Sequence, residues 1–166
     1  MAVVFEDFSV NVKAALDDAA ISYLYSVASE LEGQTKQNTS AVQYNGDPDV
    51  KNSWGHVVDE SKLKATVGSP IEAAYWKEFG TGEYALHKDG RKGWWVYVEG
   101  NTVPKANQKY YNEDEAKAVA ASMSADGLKA HATNGKKAER PLHRAFTSLR
   151  SWMVQEAERV FGSEMK

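Results

Sequence analysis

Residues 73–85 read Ala73-Ala74-Tyr75-Trp76-Lys77-Glu78-Phe79-Gly80-Thr81-Gly82-Glu83-Tyr84-Ala85 and join a compact aromatic segment to a glycine-bracketed turn. Its three large aromatic side chains lie close together in the sequence, so we expect at least two of them to face a core. These predicted core anchors are Tyr75, Trp76 and Phe79. The glycines that follow allow backbone angles closed to other residues, which predicts a sharp chain reversal around Thr81.

The chain from Glu83 to Gly93 is polar and charged, which is typical of a surface loop. We interpret the aromatic anchor and this loop together as the functional feature, with the loop as a mobile excursion that contacts a partner. The predicted hinges are Gly80, Gly82, Gly90 and Gly93. The predicted interface residues are Glu83, His87, Lys88, Asp89, Arg91 and Lys92.

Apolar residues recur at spacings of three and four from about Ser9 to Thr39, which predicts a long N-terminal helix stopped at Asn38. The same period over 141–161 predicts a C-terminal helix that begins at a proline and ends at Gly162. Alternation around residues 54–67 predicts a hairpin of two short strands.

A strand is also predicted over Trp94–Val98, and we expect it to join the sheet of the first hairpin. Residues 99–137 are interpreted as an insertion that contains a helix capped by Asn112 and a short strand. The predicted fold class is α+β, with a small, mostly antiparallel sheet packed against the two long helices. The whole chain, 1–166, is expected to be a single domain.

The composition excludes several kinds of site. The chain has no cysteine, so disulfides, thiolate metal sites and a cysteine nucleophile are impossible. Its four histidines show no metal-binding spacing, and no serine lies in a G-x-S-x-G motif. A net charge of −3 is unlike that of a sequence-independent nucleic-acid binder. No apolar run approaches the ~20 residues that cross a bilayer. We therefore predict no catalytic residue, metal or cofactor.

Two other functions stay open at this level. Basic residues beside Trp94 and Trp95 could contact nucleic acid by charge and stacking, which makes residues 87–95 a candidate nucleic-acid-binding module. Glu78 and Glu83 flank the turn and could form an acid–base pair of a hydrolase. Mixed, solvated charges are the simpler interpretation of both patterns.

Several of these residues resemble the neck family of long-tailed double-stranded DNA phages, which comprises tail-completion or head–tail joining proteins (minor tail components). The most specific part is the Y-x-x-E-F-G-T-G core from Tyr75 to Gly82. A second part opens the last helix, with Arg140, Pro141 and Phe146 as its marks. The chain departs from the family at 46–50, where Gly46-Asp47-Pro48-Asp49-Val50 replaces an Asp-Thr-Gly turn.

The resemblance implies a structural virion protein of a phage or prophage, and not an enzyme. It implies a homo-oligomeric ring, a hexamer, that joins the tail to the head connector. The implied partners are further copies of the chain, the head connector or stopper, and the tail terminator or tail tube. The implied location is the virion, after assembly in the host cytoplasm, with no membrane or specific nucleic acid. A glycine-hinged loop that orders on docking would keep the free subunit monomeric.

Overall fold

The computed structural model describes residues 9–40, 49–99 and 112–164. These residues form four α-helices and two small antiparallel sheets, so the predicted α+β class with long N-terminal and C-terminal helices is confirmed. In chain order the elements are α1 (Ser9–Asn38), β1 (Gly55–Asp59), β2 (Lys64–Gly68), α2 (Glu72–Phe79), β3 (Trp95–Val98), α3 (Glu113–Ala125), β4 (Ala130–Thr133) and α4 (Pro141–Glu164).

The chain divides into two compact units. The first unit comprises Met1–Asn38, Trp54–Gly68 and Leu142–Lys166, and the second comprises Thr39–Ser53 and Ser69–Pro141. The expectation of a single domain stays a prediction, and the two units are described separately below. The departure from the family turn lies largely outside the described residues, since only positions 49 and 50 of it are described.

In the first unit the predicted hairpin is present. Strand β1 pairs with β2 in an antiparallel register that places Gly55 opposite Gly68, and α1 contacts both strands. The turn between them is capped by Asp59, whose carboxylate accepts the Lys62 backbone N–H at 3.2 Å. Strand β2 alternates as predicted, with Lys64 exposed and the next residue half-buried.

Helices α1 and α4 of the first unit meet through polar as well as apolar groups. The Tyr23 hydroxyl donates to the carbonyl of Met153 at 3.2 Å, and the Ser26 hydroxyl donates to Glu156 at 2.7 Å. Arg159 donates two hydrogen bonds to the same carboxylate, at 2.7 and 2.8 Å. The Arg159 guanidinium and the Ser26 hydroxyl lower the pKa of Glu156 to about 2. Helix α4 continues past Gly162 to Glu164, so the predicted end at that glycine is wrong.

In the second unit β3 pairs with β4, with Trp95 opposite Thr133, and α3 contacts both strands. Asn112 caps α3 as predicted, since its side chain accepts the Glu115 N–H at 2.9 Å in a complete capping box. Among the described strands, β3 has no partner in the first hairpin, so the expectation of a shared sheet is wrong. The reason is that β4, from within the predicted 99–137 insertion, supplies its hydrogen-bonding edge.

Candidate interaction surface

Helix α2 carries most of the aromatic motif and ends sharply. The Gly80 N–H bonds to the Trp76 carbonyl at 2.8 Å, and Gly80 then leaves the helix with φ of +73°. A Cβ at Gly80 would lie 2.8 Å from the carbonyl oxygen of Tyr84, so the site lacks both space and a suitable backbone angle for another residue. The chain reversal predicted after the aromatic segment is therefore present.

The buried face of α2 is polar and the exposed face is aromatic. Ala74, Lys77 and Glu78 are buried, while Tyr75 is 51% exposed and Trp76 is 44% exposed. The prediction that at least two motif aromatics face a core is therefore wrong. Helical spacing explains the result, because residues 74, 77 and 78 share one face and residues 75, 76 and 79 share the other. Phe79 is half-buried.

The charge of Lys77 is paired inside the second unit. Its ammonium donates to the Ser40 carbonyl at 3.1 Å and to the Ser40 hydroxyl at 2.9 Å, and it lies 3.7 Å from the Glu139 carboxylate. That carboxylate also binds Lys136 at 2.9 Å. Burial alone would raise the pKa of Glu139, but the hydrogen bonds from Lys136 and Ser40 and the two lysine charges lower it overall.

The second motif begins beside the C-terminal end of α2 in space. The backbone carbonyl of Lys77 accepts the N–H groups of Glu139 at 2.8 Å and Arg140 at 3.2 Å. Arg140 has φ of +55°, a costly conformation for a non-glycine residue, and Pro141 directly after it is fully buried. Phe146, the third mark of this motif, lies in the first unit and is 51% exposed. The start of the second motif is thus fixed to the first motif within one unit.

The base of the predicted loop is held in place by hydrogen bonds from backbone N–H groups. The Thr81 N–H bonds to the Lys136 carbonyl at 2.9 Å, and the Lys136 N–H bonds to the Thr81 hydroxyl at 2.9 Å. The Glu83 N–H bonds to the Asn134 carbonyl at 2.9 Å. The sequence predicted a mobile excursion, whereas the structure has a loop paired with residues 134–136.

The loop glycines permit close backbone approach. Gly82 has φ of +59°, and a Cβ there would lie 2.7 Å from both the Gly135 Cα and the Trp95 ring. A Cβ at Gly90 would lie 2.7 Å from the Ala85 Cβ. Gly93 also has a positive φ, +76°. Their role as hinges stays a prediction, and the structure shows a packing role for Gly82 and Gly90.

Glu83, predicted as an interface residue, closes the loop. One carboxylate oxygen accepts the Gly93 N–H at 3.2 Å, and the other accepts the Asn134 side-chain amide at 3.0 Å. The remaining predicted interface residues lie between these two ends. His87, Lys88, Asp89 and Lys92 are exposed, and Arg91 is half-buried.

The exposed face of α2 continues into the loop. The ring centroids of Tyr75 and Phe79 are 4.7 Å apart, and those of Phe79 and His87 are 4.8 Å apart. Leu86, 47% exposed, donates its backbone N–H to the Phe79 carbonyl at 2.9 Å. We call the group formed by Tyr75, Trp76, Phe79, Leu86 and His87 the aromatic surface. The exposed large side chains on α2 and the adjoining loop make this group a candidate interaction site.

This geometry gives little support to a nucleic-acid-binding module or to a hydrolase. The Arg91 guanidinium lies 5.1 Å from the Trp95 ring and the Lys117 ammonium lies 5.7 Å from the Trp94 ring, so cations of the chain itself already cover these half-buried rings. Glu78 is buried on α2, while the Glu83 carboxylate is engaged in closing the loop. Within ranges 9–40, 49–99 and 112–164, no three His, Asp or Glu side chains are grouped to hold a metal ion.

Sequence reasoning missed the polar groups that position the surface, namely Ser40, Lys77, Lys136 and Glu139. The available signal was the spacing of Lys77 and Glu78 from Ala74, which places a charged pair on the face opposite the aromatic residues.

No described helix has the length and hydropathy of a membrane span. Comparison of the chain with protein-family models, with curated proteins and with solved structures finds no match.

Proposed function

We propose that the chain is a structural subunit of the head–tail junction of a long-tailed phage or prophage. In this role copies of the chain form a hexameric ring that joins the tail to the head connector. The proposal rests on the resemblance of residues 75–82 and 140–146 to the neck family. It needs no cofactor and assigns no catalysis.

The observation that carries the proposal is the aromatic surface. Its α2 residues belong to the aromatic motif, and two of them, Tyr75 and Trp76, are exposed while the buried Lys77 is held on the opposite face. Large, solvent-exposed aromatic side chains are typical of surfaces that another protein covers. A motif that served to build a core would instead direct Tyr75 and Trp76 inward, so their exposure favours an assembly role.

The aromatic surface is also held in a fixed geometry, which suits an assembly in which the same contact is made by every copy of the chain. The loop is closed at its base by Glu83 and packed through Gly82, so the aromatic surface is presented on a rigid support. A rigid surface loses little conformational entropy when it is covered, which favours association. The proposed partners are those that the resemblance implies, namely neighbouring subunits, the connector or stopper, and the tail terminator or tail tube.

The test is inactivation of the gene in the phage or prophage that encodes the chain, followed by electron microscopy of the induced lysate. We expect full heads and finished tails that remain separate, and a return to joined particles when the wild-type chain is supplied from a plasmid. Joined, infectious particles in the absence of the chain would overturn the proposal. A loss of heads or of tails themselves would also contradict it, because the defect would then lie before joining.

A further inference from the structure

The hairpin of β1 and β2 in the first unit is anchored weakly by apolar contacts. No residue of either strand is buried, although α1 contacts both strands. Val57, on the outer face of the hairpin, is 71% exposed. Because an isolated two-stranded hairpin is only marginally stable in water, the order of this one depends on what attaches it to α1.

Two polar contacts attach the hairpin to α1. At the turn, the Tyr25 hydroxyl donates to the Glu60 carboxylate at 3.0 Å. Near the start of β1, His56 Nδ1 lies 2.6 Å from a carboxylate oxygen of Glu32, and these two side chains are 25% and 20% exposed. Tyr25 and Glu32 are about two helical turns apart on α1, so the two contacts hold opposite ends of the hairpin.

The histidine contact changes in strength with the charge of the ring. An ionised carboxylate only accepts hydrogen bonds, so Nδ1 carries a hydrogen in the neutral ring, and protonation adds the second hydrogen at Nε2. Lys36 and His56 lower the pKa of Glu32, which keeps this carboxylate ionised through the pH range in which histidines titrate. Protonation of His56 therefore adds an ion pair to an existing hydrogen bond.

One other described charge lies close to this contact. The Lys36 ammonium on α1 is 2.5 Å from the second carboxylate oxygen of Glu32, so it shares the carboxylate with His56 without displacing it. On β2 the residue opposite His56 is Val67, and Lys64 is exposed. Lys36 thus reduces what the charged imidazole gains from Glu32, but it leaves the contact in place.

We propose that His56 and Glu32 form a pH-sensitive clasp, which holds the hairpin more tightly on α1 as the pH falls through the range in which histidine becomes charged. The contribution of the ion pair is present at low pH and is lost as the pH rises. Tyrosines and glutamates ordinarily change charge outside this range, so the contact at the turn supplies a pH-independent attachment. The inference concerns the first unit alone and goes beyond the proposed function.

Amide hydrogen exchange of the intact chain at pH 5.5 and pH 8 tests the clasp. Each observed rate is divided by the intrinsic rate at the same pH, which gives the protection of β1 and β2. We expect the wild-type hairpin to be about three- to fivefold better protected at pH 5.5 than at pH 8. His56→Gln and Glu32→Gln should each abolish this difference, because each keeps a hydrogen-bonding group and removes one charge.

Three further variants separate the clasp from general loosening of the unit. Tyr25→Phe removes the contact at the turn and should lower the protection equally at both pH values, so the difference between them stays. Lys36→Gln removes the competing ammonium and should enlarge the difference. His143→Gln, at an exposed position of α4 in the same unit, should behave like the wild type.

Equal protection of the wild-type hairpin at both pH values would overturn the proposal, as would an unchanged pH difference in His56→Gln. If His56→Gln does not fold, Glu32→Gln decides in the same way, because it leaves the histidine in place. None of these results depends on the joining of heads to tails, so failure of the clasp is distinguishable from failure of the proposed function.

Discussion

Lys77 and Glu139 are joined twice in the second unit. The Lys77 carbonyl accepts the Glu139 backbone N–H at 2.8 Å, and the Lys77 ammonium lies 3.7 Å from the Glu139 carboxylate. The first bond supplies a donor to a carbonyl in the last turn of α2, a turn whose carbonyls lack donors in an ideal helix. The second compensates a buried charge. Together they fix α2 to the segment that precedes α4, and so they orient the exposed aromatic side chains.

Lys77→Met should destabilise the protein by about 3 kcal/mol, since removing one member of a buried ion pair leaves the other without full compensation. The value lies at the low end of that class because Glu139 keeps its contacts with Lys136 and Ser40. Denaturant unfolding measures the change. Lys92→Met, which removes an exposed lysine of the loop, is the matched control and should change stability by less than about 0.5 kcal/mol. Equal effects of the two variants would contradict this account of Lys77.

Gly82→Ala should destabilise the protein by at least about 2 kcal/mol, because the residue has a positive φ and its Cβ would meet Gly135 and Trp95. Gly33→Ala is the control, since a Cβ at this helical position meets nothing within 4 Å. There the substitution should stabilise by about 0.5–1 kcal/mol. Unfolding midpoints that move in the same direction for both variants would exclude close packing as the role of Gly82.

Glu156 should make the stability of the protein depend on acid pH. Arg159 and Ser26 lower its pKa from 4.5 to about 2. A lowered pKa means that its contribution is complete above pH 4.5, falls as the pH drops from 4.5 towards 2, and is absent below that. Glu156→Gln should therefore be less stable than the wild type at pH 7, with a difference that shrinks through this window.

Unfolding curves of the wild type and Glu156→Gln from pH 2 to pH 7 measure that difference. Glu158→Gln, an exposed position on the same helix, is the matched control and should follow the wild type throughout. A wild-type advantage over Glu156→Gln that persists unchanged at pH 2 would show that the carboxylate charge does not stabilise the pairing of α1 and α4.

Glu83→Ala should loosen the loop without unfolding the unit, since it removes acceptors for the Gly93 N–H and the Asn134 amide. The expected loss is about 1 kcal/mol for these exposed hydrogen bonds. Amide hydrogen exchange at Gly93 should accelerate about fivefold for that loss. Asp89→Ala in the same loop should leave this exchange rate unchanged. Unaltered exchange in Glu83→Ala would mean that the carboxylate does not close the loop.

The sequence predicted the elements whose signals are local. Helix α1 ends at Asn38 as expected, and Asn112 caps α3 through the predicted side-chain contact. The prediction from sequence failed where the pairing of an element depends on residues distant in the chain. Strand β4 has the weak sequence Ala-His-Ala-Thr, which gives no sign that it would take β3 away from the first hairpin.

The candidate surface was found in part. The position of the motif and its turn could be read from glycine spacing, but the orientation of α2 could not. Three aromatic residues outweigh one lysine and one glutamate on any hydropathy argument, so they were expected inside. The reverse orientation depends on Ser40 and Glu139, which surround the ammonium of Lys77 and come from distant parts of the sequence.

The central claim is that Tyr75 and Trp76 are exposed for assembly. The most direct measurement is complementation of the gene-inactivated phage with the chain that carries Tyr75→Ser and Trp76→Ser, after its unfolding midpoint has been compared with that of the wild type. We predict a folded protein with nearly unchanged stability, and lysates in which full heads and finished tails stay apart. Wild-type numbers of joined particles from this folded variant would contradict the account.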